Sequence, residues 1–515
     1  MNQSLGRGGS RRRYLDLSRR SFLSSSAAAG VLVAGELAFV DDARAQVGGV
    51  DDVPLETTFG IRATFLDFIE DPWRHVGRES EAARFHADGL LVVEDGRIAD
   101  FGAYDEVAAR HAGLAVTTIS DRLILPGFID GHVHFPQTRV LGAFGEHLLP
   151  WLEKWVFPEE IKFKDRAYAR EAAGRFFDNL LASGTTTCQA FTTTASAATE
   201  ELFDEAARRN MRLIAGLTGI DRLAPAGYAL SAENFYRDSK RLIERYHRQG
   251  RGLYAITPRY ALGSSRELLQ ACQRLKSEHP DCWVNTHLAE TKGECEDMRT
   301  LYPDSADYLA VYEKYGLVGP KFSGGHGVWL SDDEFRRLSA SGGAITFCPC
   351  SNLFLGSGLF RLGRATDPAW RVRLSFGTDV GGGNRFSMLN VLDDAYKIGM
   401  VNNARLDDPA EAERNKLSAY RGFWSITLGG AEGLYIDDLV GNFAPGKEAD
   451  FVVLDCNGGP PALAWRQSLI AEDGKPSTLE QAADLLFGLM TVGDDRAIEQ
   501  TWAMGRQVYL RRGSN

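Results

Sequence analysis

Apolar and polar positions alternate in two different ways along this chain, and the change of period marks its organisation. From about Thr57 to Leu125 the pattern is that of strands. GLLVVEDGRIADFG offers two runs rich in β-branched residues, joined at Asp95-Gly96, a dipeptide that favours a two-residue hairpin turn. GNFAPGKEADFVVLD (Gly441 to Asp455) and AIEQTWAMGRQVYL (Ala497 to Leu510) have the same character near the other end. The two ends are therefore expected to pair into one small β-domain.

Between them, compact apolar runs alternate with amphipathic stretches such as SAENFYRDSKRLIERYH (Ser231 to His247), where Phe235, Leu242, Ile243 and Tyr246 fall near helical spacing. Eight of the runs read as strands. They are GFIDGHVH ending at His134, TTTCQAF at Phe191, RLIAGLT at Thr218, LYAITPR at Arg259, CWVNTHL at Leu288, FSGGH at His326, AITFCP at Pro349 and RLSFGTD at Asp379. Strand and helix alternating eight times over about 250 residues is the pattern of a parallel (β/α)8 barrel. The expected fold class is thus α/β, a TIM-type barrel over 126–435 with a small β-sandwich built from 47–125 and 436–515.

Composition narrows the partners. The 515 residues are 44% hydrophobic and 25% charged, ordinary for a large globular protein, and the formal charge is −11. Met1 to Gln46 holds seven Arg against Asp16, Glu36, Asp41 and Asp42, so the rest of the chain is more acidic still. An acidic body argues against nucleic acid or an anionic membrane as partner. No apolar run reaches the roughly 18 residues of a membrane span. Seven cysteines, an odd number in a long chain, argue for buried free thiols over a disulfide framework. The segment SRRSFLSSSAAAGVLVAGELAFVDDARAQ has a basic front, an apolar middle and a small-residue stop at Ala43-Arg44-Ala45. It resembles a twin-arginine export signal over residues 1–46, carried by Arg19, Arg20, Phe22 and Leu23, with Glu36 as a departure. That implies the periplasm or the exterior, or the cytoplasm where the signal is not used.

The barrel reading converts sequence order into proximity, because active sites form at the carboxyl ends of barrel strands. Strand period places His132 and His134 on one face, and the same rule gathers Arg259, His287, His326 and Asp379 around that mouth. Asp379 before three glycines can also cap a turn, and His326 can donate to a ligand instead of being one. Nitrogen and oxygen donors without thiolate suit Zn²⁺, with Fe²⁺ also accommodated, and a bound water would ionise near neutrality. Glu290, three residues after His287, stands where a proton shuttle is needed. Cys348-x-Cys350 supplies only two thiols, too few for a rival site.

PGFIDGHVH, THLAE, GHGVWLS and GTDVGGG resemble the strand-end signatures of the amidohydrolase superfamily, in its one-metal purine and pyrimidine deaminase branch. HFPQ, LLPWLEKWVFPEE, GTTT, ITPRY, CPCSNLFLGSGLF, GNFAPGKEADFVVL and VGDDRAIEQTWAMGRQV are similar to the guanine deaminase group within it. The resemblance implies one zinc per subunit on His132, His134, His287 and Asp379, with Glu290 shuttling protons, His326 orienting at the metal and Asp379 also acting as base. It implies that Gln137, Arg259 and Tyr260 contact the purine, and that the protein is a homodimer. The implied reaction is hydrolysis of guanine, or a related amino-purine or pterin, to xanthine and ammonia through a metal-bound hydroxide. Trp155, Phe157 and Phe163 are candidates for the base pocket or for the core. Phe347, Cys350 and Leu223 depart from that group's usual residues at strand ends, where they are expected to reshape the substrate pocket. Another heterocycle, such as an 8-oxopurine or an s-triazine, is the alternative substrate, and a non-catalytic barrel scaffold is the alternative outside enzymes.

Overall fold

The structure, a computed structural model, describes residues 58–145, 147–471 and 473–511. The export-signal reading of 1–46 lies outside them. Eight parallel strands follow one another around a barrel in chain order: Phe128–His134, Thr185–Phe191, Arg212–Gly216, Gly252–Pro258, Trp283–Leu288, Phe322–His326, Ala344–Phe347 and Arg373–Phe376. All eight expected runs are strands. The first and eighth meet through Thr378, whose N–H (3.0 Å) and hydroxyl (2.5 Å) both donate to Asp130, and through Asp379 N–H donating to the His132 carbonyl at 2.7 Å.

Two boundaries differ from the sequence reading, each for a local reason. The third strand stops at Gly216 and resumes as Thr218–Gly219 against Thr257 and Pro258, because the Leu217 N–H turns to the Tyr254 hydroxyl. Gly216 is required there: a Cβ would lie 1.7 Å from the Ala255 carbonyl oxygen. Gly216→Ala should therefore lower stability by about 3 kcal/mol, as overpacking against backbone does. Thermal unfolding checks this, and an unchanged Tm would show that the two strands can part. Likewise Asp379 sits three residues past the end of the eighth strand, with a positive φ of 48°.

Helices fill the crossovers as the periodicity requires. The helix expected around Ser231 to His247 runs Ala232–Tyr246, capped by the Ser231 hydroxyl accepting from Asn234 N–H, and buries Phe235, Leu242, Ile243 and Tyr246. Among the described residues no helix is long and apolar enough to cross a membrane.

The two ends of the chain pair as expected. Phe59–Phe68, Ala83–Glu94, Arg97–Ala103, Val116–Pro126, Phe451–Leu454, Ile498–Ala503 and Arg506–Leu510 form one seven-stranded sheet, all antiparallel except the pair 59–68 with 116–126. The hairpin turns at Asp95 (φ 50°) and Gly96 (φ 77°), the left-handed conformations a type I′ turn needs. The expected sandwich takes the form of this single sheet covered on both faces. Phe65, Leu91, Val93, Ile124, Phe451 and Val453 build a separate core in which Phe101 and Phe443 meet Phe65 edge-on. Their neighbours Leu66, Leu123, Leu125, Val452 and Leu454 join the main core with the barrel. Arg212, buried, and Arg251, half-buried, ion-pair Glu448 beneath the barrel, and Arg251 also reaches Asp450 at 2.5 Å.

Candidate active site

The site begins with the first barrel strand. Asp130, His132 and His134 share its inward face, and Asp130 accepts the His132 N–H at 3.2 Å as well as both Thr378 groups. Burial pushes this carboxyl up to about 7. Its task is structural, since it locks the strand that carries two histidines to the loop that carries Asp379.

Neighbouring strands aim their donors at the same point. His287 gives its Nδ1 hydrogen to the Arg259 carbonyl (2.6 Å), which leaves Nε2 facing His134 Nε2 at 3.2 Å. His326 is oriented in the same way by Asn352 Oδ1 (3.0 Å), so that its Nε2 lies 3.8 Å from Asp379 Oδ2. Asp379 Oδ1 lies 3.3 Å from His132 Nε2 and 3.0 Å from His134 Nε2. Donor atoms of His132, His287, His326 and Asp379 all fall within 4.8 Å of one another. Burial pushes His132, His134 and His287 down, His134 to about 4, toward the neutral form that offers a lone pair to a metal. Burial also opposes the charge of Asp379, but His132 and His134 outweigh it and hold the carboxyl well below its usual range. His132 Nε2 and His326 Nε2 are buried with no hydrogen-bond partner among the described residues. Buried polar atoms left unpaired around one carboxylate are what a bound cation satisfies, so this donor set fits a divalent metal.

Glu290 stands beside the cluster, its Oε2 3.5 Å from His326 Nε2. It is buried, not the exposed loop carboxylate its position could equally have given. Ser357 donates to its Oε1 at 3.0 Å, and its own N–H donates to Glu294 Oε2 at 3.1 Å. Glu294 in turn closes a capping box with Thr291 and accepts from Tyr308. Burial first, and Asp379 second, push Glu290 up to about 8, and a cation in the cluster would draw it down again.

Beside the cluster lies a cleft lined by Gln137, Trp151, Arg259, Tyr260, Leu355 and Gly382 together with His134, Glu290 and Asp379. Every residue expected at the site is thus at this barrel mouth. The aromatic expectations change: Trp151 lines the cleft, whereas Trp155 is exposed and donates to the Phe144 carbonyl. Phe163 packs against Phe135 and Tyr168, and Phe157 lies behind Arg259, its ring 5.7 Å from the guanidinium carbon. The three departures do not line the cleft. Phe347 is buried between Phe360 and Phe376, Cys350 is buried, and Leu223 is exposed. All seven cysteines are free, six buried and Cys295 half-buried.

Sequence reasoning missed Glu160, which is buried and accepts from Gln137 Nε2 at 2.9 Å, from Arg259 Nη1 at 2.9 and 3.1 Å, and from the Tyr228 hydroxyl. The only signal was an acid, in PEE, closing a segment otherwise rich in aromatic residues.

The model of the amidohydrolase family matches residues 123–508. The chain belongs to the amidohydrolase family. This amidohydrolase is 43% identical over 461 residues to a guanine deaminase of Escherichia coli (strain K12), covering 88% of the chain and 98% of that protein. It is 40% identical over 436 residues to a probable guanine deaminase of Deinococcus radiodurans, covering 84% and 95%. A crystal structure of guanine deaminase from Bradyrhizobium japonicum superposes with a TM-score of 0.87 at 67% identity, covering 88% of this chain and all of that one. The enzyme is therefore a hydrolase of carbon–nitrogen bonds from a metal-dependent family, and its His/Asp cluster can hold the metal.

Proposed function

We propose that the enzyme is a guanine deaminase, converting guanine and water to xanthine and ammonia with one Zn²⁺ per subunit. The observation that carries this is the pairing of Gln137 and Arg259 on Glu160, in the same cleft as Glu290 and the metal donors His134, His287 and Asp379. An amide and a guanidinium fixed side by side can grip the polar edge of a flat heterocycle, while the proton-transfer groups of the same cleft reach its reacting carbon. The names of the relatives support the same substrate.

His132, His134, His287 and Asp379 would hold the metal, with His326 beside it. The metal would supply the Lewis acidity that makes water a nucleophile near neutral pH. Asp379 takes the proton of the attacking water. Glu290 delivers a proton to the ring nitrogen next to C2. Asp379 passes the proton it took from water to the 2-amino group, which leaves as ammonia, and Glu290 recovers a proton from the C2 hydroxyl as the C2 carbonyl forms. Tyr260 and Trp151 help to close the cleft around the ring and limit bulk water. The mixed nitrogen and oxygen donor set suits zinc and also accommodates Fe²⁺, and metal analysis of the purified protein distinguishes them.

Ammonia release measured over a panel of guanine, an amino-pterin, an 8-oxopurine and an s-triazine tests the substrate. Turnover of another ring without guanine would transfer the assignment to that ring. Arg259→Lys should raise KM about tenfold, roughly 1.4 kcal/mol, because a point-charge ammonium cannot reproduce a planar fork. Steady-state kinetics read this directly, and a parental kcat/KM would remove Arg259 from ring binding.

On the same footing we propose export of the chain by residues 1–46 to the periplasm or exterior, domain limits at 47–125, 126–435 and 436–515, and a homodimer. The motif at Arg19 and Arg20, the pairing of the terminal strands and the resemblance to guanine deaminases support these in turn.

A further inference from the structure

Glu160 takes no part in the proton transfers outlined above and does not itself line the cleft, yet it accepts hydrogen bonds from Gln137 and Arg259, which do. Its side chain is fully buried, and four hydrogen bonds converge on its two oxygens: one from Gln137 Nε2, two from Arg259 Nη1 and one from the Tyr228 hydroxyl. A carboxylate paired with a guanidinium has acceptors only. The Gln137 atom facing it is therefore the amide nitrogen, and the reversed amide would set oxygen against oxygen at 2.9 Å with no proton between them. Gln137 Oε1 is thereby turned away from Glu160. It makes no hydrogen bond among the described residues and lies against Gly381, where a Cβ would come within 2.9 Å of it. Arg259 Nε and Nη2 likewise have no partner among the described residues, because the contact with Glu160 occupies Nη1 alone.

The cleft thus offers one acceptor beside charge-assisted donors, in an order that Glu160 dictates. We propose that Glu160 is a positioning residue that sets the hydrogen-bonding polarity of the ring pocket, so that it selects a lactam edge, N–H beside C=O, over an amidine edge, ring N beside C–NH2. The lactam meets the amide oxygen with its N–H and the guanidinium with its carbonyl. An amidine places acceptor on acceptor and donor on donor, and a site built to hydrogen-bond one pattern rejects the other because its buried groups are left unpaired. This rests on the reading above that Gln137 and Arg259 face the ring.

Hypoxanthine and adenine differ in this edge alone, and neither carries the 2-amino group. Their dissociation constants, measured by calorimetry on the metal-loaded enzyme, should favour hypoxanthine by at least about tenfold in the parent. In Glu160→Gln the neighbouring amide can present either polarity, Gln137 is free to turn, and the preference should fall below about threefold with metal content unchanged. A merely structural role would weaken both ligands together and leave their ratio intact. A parent without preference, or a Glu160→Gln enzyme that keeps it, overturns the proposal. Should Glu160→Gln not fold, Gln137→Met removes the acceptor directly and should lower the ratio in the same way, and retention of the parental ratio there overturns it as well. The ratio is read without turnover, so an enzyme that fails to deaminate guanine removes the proposed reaction while this selectivity is still decided.

Discussion

Glu290→Gln is expected to keep its full complement of metal and to lose about three orders of magnitude in kcat, roughly 4 kcal/mol of transition-state stabilisation. The side chain is not among the donors that converge on Asp379, and its oxygens answer to Ser357 and to the His326 edge. The amide fills the same volume and can still bond Ser357, but it cannot cycle a proton between water and a ring nitrogen. The loss should fall on kcat with KM little changed, because the ring is held by Gln137 and Arg259 and not by Glu290. Ammonia release together with metal analysis of the same preparation decides it. A variant as fast as the parent would take Glu290 out of the proton pathway.

Asp379→Asn should be the more damaging change. Asp379 is the one carboxylate among the clustered metal donors, and Asp130 fixes its loop through Thr378. Neutralising it removes the charge that compensates a dication in a fully buried site, where an uncompensated charge is expensive. The purified variant is expected to hold well under one metal per chain, to lose at least about four orders of magnitude in activity, and to melt at a lower temperature than the metal-loaded parent, since a ligand bound only to the folded state stabilises it. Full metal occupancy with parental turnover would show that the four histidines suffice.

Much of this architecture could be read from the chain because it rests on local pattern. Each barrel strand is a short apolar run with a turn signal after it, and the carboxyl-end rule then places His132, His134, Arg259, His287, His326 and Asp379 together without any knowledge of contacts. The hairpin at Asp95-Gly96 was legible for the same reason, since two residues decide it. What escaped depends on partners far apart in sequence. Glu160 meets Arg259 across 99 residues, and nothing in PEE distinguishes a buried tether from a surface acid. Phe347 misled in the opposite direction: its position at a strand end suggested the pocket, but the strand stops at that residue and the side chain turns into the space between Phe360 and Phe376. Trp151 and Trp155 are four residues apart in one irregular helical segment, and only the packing of that segment decides which ring faces the cleft.

The sheet that joins the two ends of the chain bears on how the enzyme is made. Val452 pairs with Leu125, and Phe451 with Pro126, immediately before the strand that carries His132 and His134. During synthesis the strand Val116–Pro126 emerges more than three hundred residues ahead of its partner Phe451–Leu454, so one edge stays open until that partner has been made. Contacts of such long sequence separation form late. The histidine-bearing strand is continuous with that open edge, so the metal centre is braced from below only once Phe451–Leu454 has left the ribosome.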